Sequence, residues 1–140
     1  MSTVKMKWID GELFVGVDSY GHPIVTGSWP AQDPEWAALK PSDLLLLGVI
    51  GCAGYDVVSI LKKQREDLTG LEMSCTGEQM PDPPYAFTRI HIDYRLTGRN
   101  LNEGKVRRAI QLSEERYCSV AATVRGVAEI TSSFTIEEQA

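Results

Sequence analysis

Cys52 and Cys118 are the residues of this 140-residue chain best suited to chemistry. Cys52 lies in an apolar, glycine-rich run, Leu44 to Gly54. Cys118 follows a charged amphipathic segment and opens Arg116-Tyr117-Cys118-Ser119-Val120. The thiolate is the nucleophilic form of cysteine; apolar burial disfavours it, and a helix N-terminus or a nearby cation favours it. Cys118 precedes a short helix that Ser119 can cap, with Arg116 close in sequence, so it carries the stronger signal. Cys52 needs a cation or hydrogen-bond donors supplied from elsewhere. Two such thiols are the components of a redox site, one attacking and one resolving. The competing reading is two inert cysteines in tight packing. Cys75, mid-strand in Glu72-Met73-Ser74-Cys75-Thr76, is assigned no role.

Other chemistry is sparse. Gly48-x-x-Gly51-x-x-Gly54 has the wrong spacing for a dinucleotide fingerprint, and no strand leads into it. His22 and His91 stand alone and there is no CxxC, so no metal site is expected. Lys105, Arg107 and Arg108 read as a solvated helix face. Fourteen basic against nineteen acidic residues give a net charge of −5, which argues against nucleic acid or an anionic membrane as partner. Apolar residues at 43% and charged residues at 24% fit an ordinary globular domain. Met1-Ser2-Thr3-Val4-Lys5 leads into no apolar leader segment, and the apolar run Leu44 to Ala53 is short of the ~20 residues a membrane span needs. A cytoplasmic protein is therefore expected, in which the three cysteines are free thiols and any disulfide is transient.

The elements that must hold these cysteines follow from pattern. Met6 to Ile9 and Leu13 to Val17 flank an Asp10-Gly11 turn and predict a hairpin; Ile24 to Thr26 is a third short strand. Residues 27–40, with Trp29, Pro30, Pro34 and Trp36, predict an ordered loop. A long helix starts at Pro41-Ser42-Asp43, with Ser42 or Asp43 as cap, and runs to about Glu66. Its first half is apolar on all sides, which predicts burial at the centre of the fold. Gly48, Gly51 and Gly54 each cost roughly 1 kcal/mol in a helix, so close packing against the backbone is expected there. Leu71 to Glu78 is a strand. Phe87 to Leu96 alternates, with Ile90, Ile92, Tyr94 and Leu96 sharing a face. Asn102 can cap an amphipathic helix carrying Val106, Ala109, Ile110, Ser113 and Tyr117; a short helix to about Arg125 and a final strand, Val127 to Ile136, close the chain. The order predicts one α+β domain, residues 1–140, with a largely antiparallel sheet. Its excess of apolar helix surface points to a partner subunit.

Pro41-Ser42-Asp43-Leu44-Leu45-Leu46, Gly51-Cys52 and Asp56-Val57-Val58-Ser59-Ile60-Leu61 resemble the central helix of the OsmC/Ohr superfamily. Phe87-Thr88-Arg89-Ile90, Val106-x-Arg108-Ala109-Ile110-x-Leu112-Ser113 and Glu115-Arg116-Tyr117-Cys118-Ser119-Val120 resemble its second half. The resemblance extends from about residue 5 to 137 and is closest to the OsmC-like branch. It implies an intertwined homodimer that reduces organic hydroperoxides in oxidative-stress defence. Cys52 would be the peroxidatic thiolate and Cys118 the resolving thiol, forming a Cys52–Cys118 disulfide that a dithiol or small thiol reduces. No metal or organic cofactor is implied. Two positions depart from the pattern. Where the family's peroxidases carry a glutamate ten residues before the first cysteine, this chain has Ser42. It also has no arginine before Arg65, whereas those enzymes hold the thiolate with an N-terminal one. These departures favour the alternative of a non-catalytic protein that binds a small ligand, with Trp29, Trp36, Tyr55 and Tyr85 lining an apolar pocket; a second alternative is a redox sensor acting through the Cys52–Cys118 disulfide.

Overall fold

Turn chemistry builds the first of two units, Met1–Leu45, in a computed structural model that describes residues 1–140. Strands β1 (Lys5–Asp10), β2 (Leu13–Val17) and β3 (Pro23–Thr26) form an antiparallel sheet in that order. Gly11 turns the first hairpin with φ of 51°, and a Cβ there would sit 2.4 Å from the Trp36 ring, so only glycine serves. The second turn is closed by Asp18, whose carboxylate accepts from the backbone N–H of His22 and Tyr20 and pairs with His22 Nδ1 at 2.8 Å. The expected ordered loop contains one 3₁₀ turn, Pro34–Trp36, and the Lys40 ammonium lies 5.1 Å from the centre of the Trp29 ring.

Helix α1 (Pro41–Lys63) begins in this unit and continues into the second, Leu46–Ala140. It starts two residues earlier than a Ser42 cap requires and three earlier than an Asp43 cap does. Both lie inside the first turn, and the Ser42 hydroxyl is buried with no hydrogen-bond partner. It also stops before Glu66, because Arg65 adopts a left-handed φ of 59°. Val49, Ala53, Val57 and Leu61, four residues apart, are fully buried as one stripe. The expectation of all-round burial is corrected: Leu45, Leu47 and Tyr55 are exposed within the single chain. By length and composition α1 is also apolar enough to cross a membrane, beyond what the Leu44 to Ala53 run implied. Its regular buried stripe is that of a helix packed on a core. Of the three glycines, Gly54 alone sits in close contact, with a Cβ position 2.8 Å from the Met73 sulfur; Gly51 has nothing within 4 Å.

The second sheet is β4 (Asp67–Gln79), β5 (Phe87–Arg99) and β6 (Glu129–Glu138), in that order. β4 and β5 are antiparallel, but β5 and β6 are parallel, with Ile92 opposite Ser132 and Tyr94 opposite Phe134. The sheet is therefore mixed. The cause is the connection: residues 100–128 carry two helices, long enough to bring the chain back to the end where β5 began. The alternation of β5 puts Ile90, Ile92, Tyr94 and Leu96 at 0% exposure against the stripe of α1 and the inner faces of α2 (Glu103–Leu112) and α3 (Ser119–Val124). Asn102 caps α2, its Oδ1 accepting from the Lys105 N–H at 2.9 Å. Asn102→Ala should cost about 1 kcal/mol in urea unfolding, since one orphan N–H loses its partner.

Candidate functional site

The segment that carries Cys118 is not the plain helix end that periodicity predicts. Ser113–Tyr117 forms a π-helical turn between α2 and α3, closed by the Cys118 N–H donating to the Ser113 carbonyl at 2.8 Å. Three groups pin this turn. Ser113, fully buried, donates from Oγ to Asp56 Oδ2 of α1 at 3.0 Å and faces the Ala53 carbonyl at 3.4 Å. Glu114 accepts from the Tyr94 hydroxyl at 3.0 Å and the Ser132 hydroxyl at 3.2 Å. Arg125, just past α3, donates to the Glu114 backbone carbonyl.

Cys118 then caps α3, a role the sequence assigned to Ser119. Its sulfur accepts from the Ala121 N–H at 3.3 Å, and its S–H faces the Val49 carbonyl of α1 at 4.0 Å. One turn along α1 from that carbonyl stands Cys52, close enough that its thiol raises the Cys118 pKa. The two candidate thiols, 66 positions apart (118 − 52), are thus neighbours where α1 passes the start of α3. They differ in access: Cys118 is 2% exposed and Cys52 is half-buried. All three cysteines are free thiols.

The electrostatics of Cys118 run against expectation. Burial first, and the neighbouring Cys52 thiol second, push its pKa up to about 11 from 9.0. The Ala121 and Val120 N–H groups at the helix start pull the other way, but desolvation outweighs them. Arg116 is exposed. Cys118 is therefore a thiol at neutral pH. Linkage gives a prediction. The unfolded chain loses this proton near pH 9.0 and the folded chain near 11, so between those values the unfolded state binds fewer protons and folding stability falls as pH rises. Urea midpoints measured from pH 8 to 11 should decline, and more steeply for the wild type than for Cys118→Ser.

Sequence reasoning missed the polar core beside this pair. Tyr94 is completely buried and its pKa is raised, first by burial and then by Glu114; the Cys118 and Cys75 thiols are close enough to add to the effect. Burial likewise raises the Glu114 carboxyl, against the Tyr94 and Ser132 hydrogen bonds that lower it. Tyr94 was legible only as an apolar-face residue and Glu114 only as part of a charged run. The signal available was a phenol at a core position, which needs an acceptor when buried. Cys75 is half-buried on β4, and burial raises its pKa. A groove of about 610 Å³ opens alongside, lined by Tyr55, Asp56, Ser59, Lys63, Gln64 and Tyr117 among others. Of the four aromatics expected to share an apolar pocket, Tyr55 alone reaches this groove, Tyr85 is exposed, and Trp29 and Trp36 belong to the other unit.

Residues 32–133, the span holding both thiols, match the OsmC-like protein family. The chain belongs to that family. Protein YhfA of Escherichia coli (strain K12) is 36% identical to this OsmC-like chain over 132 residues, covering 94% of it and 96% of YhfA. Among solved structures, a hypothetical protein from Aquifex aeolicus VF5 superposes with a TM-score of 0.88 at 26% identity, over 100% of this chain and 98% of that one. The organic hydroperoxide resistance protein OhrB of Bacillus subtilis shares the fold with a TM-score of 0.66 at 16% identity, over 96% of this chain and 98% of its own.

Proposed function

We propose that this OsmC-like protein is a thiol-dependent peroxidase that reduces organic hydroperoxides, with Cys52 attacking and Cys118 resolving. The observation that carries this reading is the placement of a buried thiol against α1 at Val49, one turn from the half-buried Cys52 whose thiol raises its pKa. The Cys52 thiolate attacks one peroxide oxygen, the O–O bond breaks, and the alkoxide takes up a proton and leaves as alcohol. Cys52 is then a sulfenic acid. The Cys118 sulfur attacks Cys52 Sγ, the S–O bond breaks, and the departing hydroxyl carries the Cys118 proton away as water. The product is a Cys52–Cys118 disulfide. A dithiol or small-thiol reductant returns both thiols by exchange. None of these steps uses a metal or organic cofactor.

Family membership supports the reading, and OhrB of Bacillus subtilis is named for organic hydroperoxide resistance. The exposed apolar side of α1 and of β1, with Leu47, Tyr55, Met6 and Trp8, supports a homodimer. A cytoplasmic setting suits a pair of free thiols. A second reading keeps the same pair of thiols, but the disulfide forms once as a redox signal and is not recycled. Supplying cumene hydroperoxide with excess dithiothreitol separates the two. Consumption of many peroxide equivalents per chain above the protein-free rate is expected. Consumption that stops at one equivalent would replace the enzyme with the sensor, and no consumption would defeat both.

A further inference from the structure

Glu114 is fixed by two adjacent strands, β5 and β6, on the same face of the sheet. The Tyr94 hydroxyl has it as partner inside the core, and Ser132 supplies the second bond from β6. Arg125 holds the same residue's backbone carbonyl. Four residues later stands Cys118, whose N–H closes the π turn onto Ser113 and whose sulfur sits over α1. A π turn bonds i to i+5 and is a strained insertion in a helix, kept where surroundings hold it. Here the Glu114 carboxylate ties it to the sheet, while Ser113 ties it to α1 and Arg125 holds its backbone.

We propose that Glu114 is the positioning residue for the resolving thiol: through Tyr94 and Ser132 it locks the turn that keeps Cys118 within bonding reach of Cys52. This rests on the assignment of Cys52 and Cys118 as a reacting pair. Glu114 acts on the second step alone, because Cys52 is carried by α1, which the Glu114 side chain does not touch through a hydrogen bond. Loss of the lock frees the turn, lowers the effective concentration of the Cys118 sulfur at Cys52, and leaves attack by Cys52 as it was.

The test needs no peroxide. In a Cys75→Ser background, 2,2′-dithiodipyridine reacts with Cys52 to give a pyridyl mixed disulfide and one thiopyridone. The Cys118 sulfur then attacks Cys52 Sγ, its proton passing to the second thiopyridone as that leaves, and the Cys52–Cys118 disulfide remains. The two releases are read as separate absorbance phases. Glu114→Ala should slow the second phase tenfold or more and leave the first within twofold. Glu114→Gln, which keeps an oxygen for the Tyr94 hydroxyl, should restore the second phase to within threefold of the wild type. Tyr94→Phe, which removes the same bond without removing volume, should slow that phase in the direction of Glu114→Ala. An unchanged second phase in both Glu114→Ala and Tyr94→Phe would overturn the inference. So would equal slowing of both phases in Glu114→Ala and Glu114→Gln, which marks a general loss of packing. Failure of the peroxidase reading shows separately, as a protein inert to hydroperoxide that still completes both phases.

Discussion

Cys52→Ser should abolish fast hydroperoxide consumption, a loss of at least 10³-fold against the wild type in the coupled dithiol assay. The expectation follows from access and chemistry together. Of the two neighbouring cysteines, Cys52 is the more open to solvent, while Cys118 is buried and held as a thiol by a pKa of about 11. A serine hydroxyl cannot replace a thiolate as the attacking group at neutral pH. Cys118→Ser should behave differently. Its Cys52 still attacks, so one peroxide per chain is consumed and the sulfenic acid persists long enough to be labelled by dimedone. A Cys52→Ser variant with wild-type turnover would transfer the chemistry to another group, and Cys75, half-buried on β4, would be the first to examine.

The largest effect on stability is expected for Leu61→Ala. Leu61 ends the buried stripe of α1 and is one of the largest side chains with no exposure. Truncation removes the transfer free energy of three carbons and leaves a cavity that the strands around it close only in part, a cost of about 3–4 kcal/mol. Against a total stability of about 5–15 kcal/mol that is a large share, and the thermal midpoint should drop by roughly 10 °C. Leu47, on the same helix but 48% exposed, provides the contrast. Leu47→Ala should cost little in the monomer. If a second copy covers the open face of α1, as proposed, the same substitution should instead weaken self-association in sedimentation. Equal losses for Leu61→Ala and Leu47→Ala in dilute protein would contradict the burial pattern described.

The strands and the site were unequally legible in the sequence. Alternation over 87–96 placed Ile90, Ile92, Tyr94 and Leu96 on the buried face because a period of two leaves one choice of side once the apolar set is known. The parallel pairing of β6 was not legible, since strand direction is set by the connection's path in space and leaves no mark on the strand itself. For α1, composition located the helix but not its exposed side. An all-apolar surface has no polar face to mark what the single chain leaves open. At the site, the types and neighbours of Cys52 and Cys118 made them candidates. Their nearness depends on the π turn, which Ser113 ties to α1, Glu114 ties to β5 and β6, and Arg125 holds by its backbone. The high pKa of Cys118 likewise depends on burial outweighing the helix start, a balance that requires the packed structure.

Reduced protein should be treated with one equivalent of cumene hydroperoxide, alkylated, digested without reductant and mapped by mass spectrometry. The account predicts a linked peptide pair joining Cys52 to Cys118 within one chain, two mass units below the sum of its reduced halves, with Cys75 carrying the alkyl label. Recovery of Cys52 and Cys118 both alkylated, or of a link through Cys75, would contradict it.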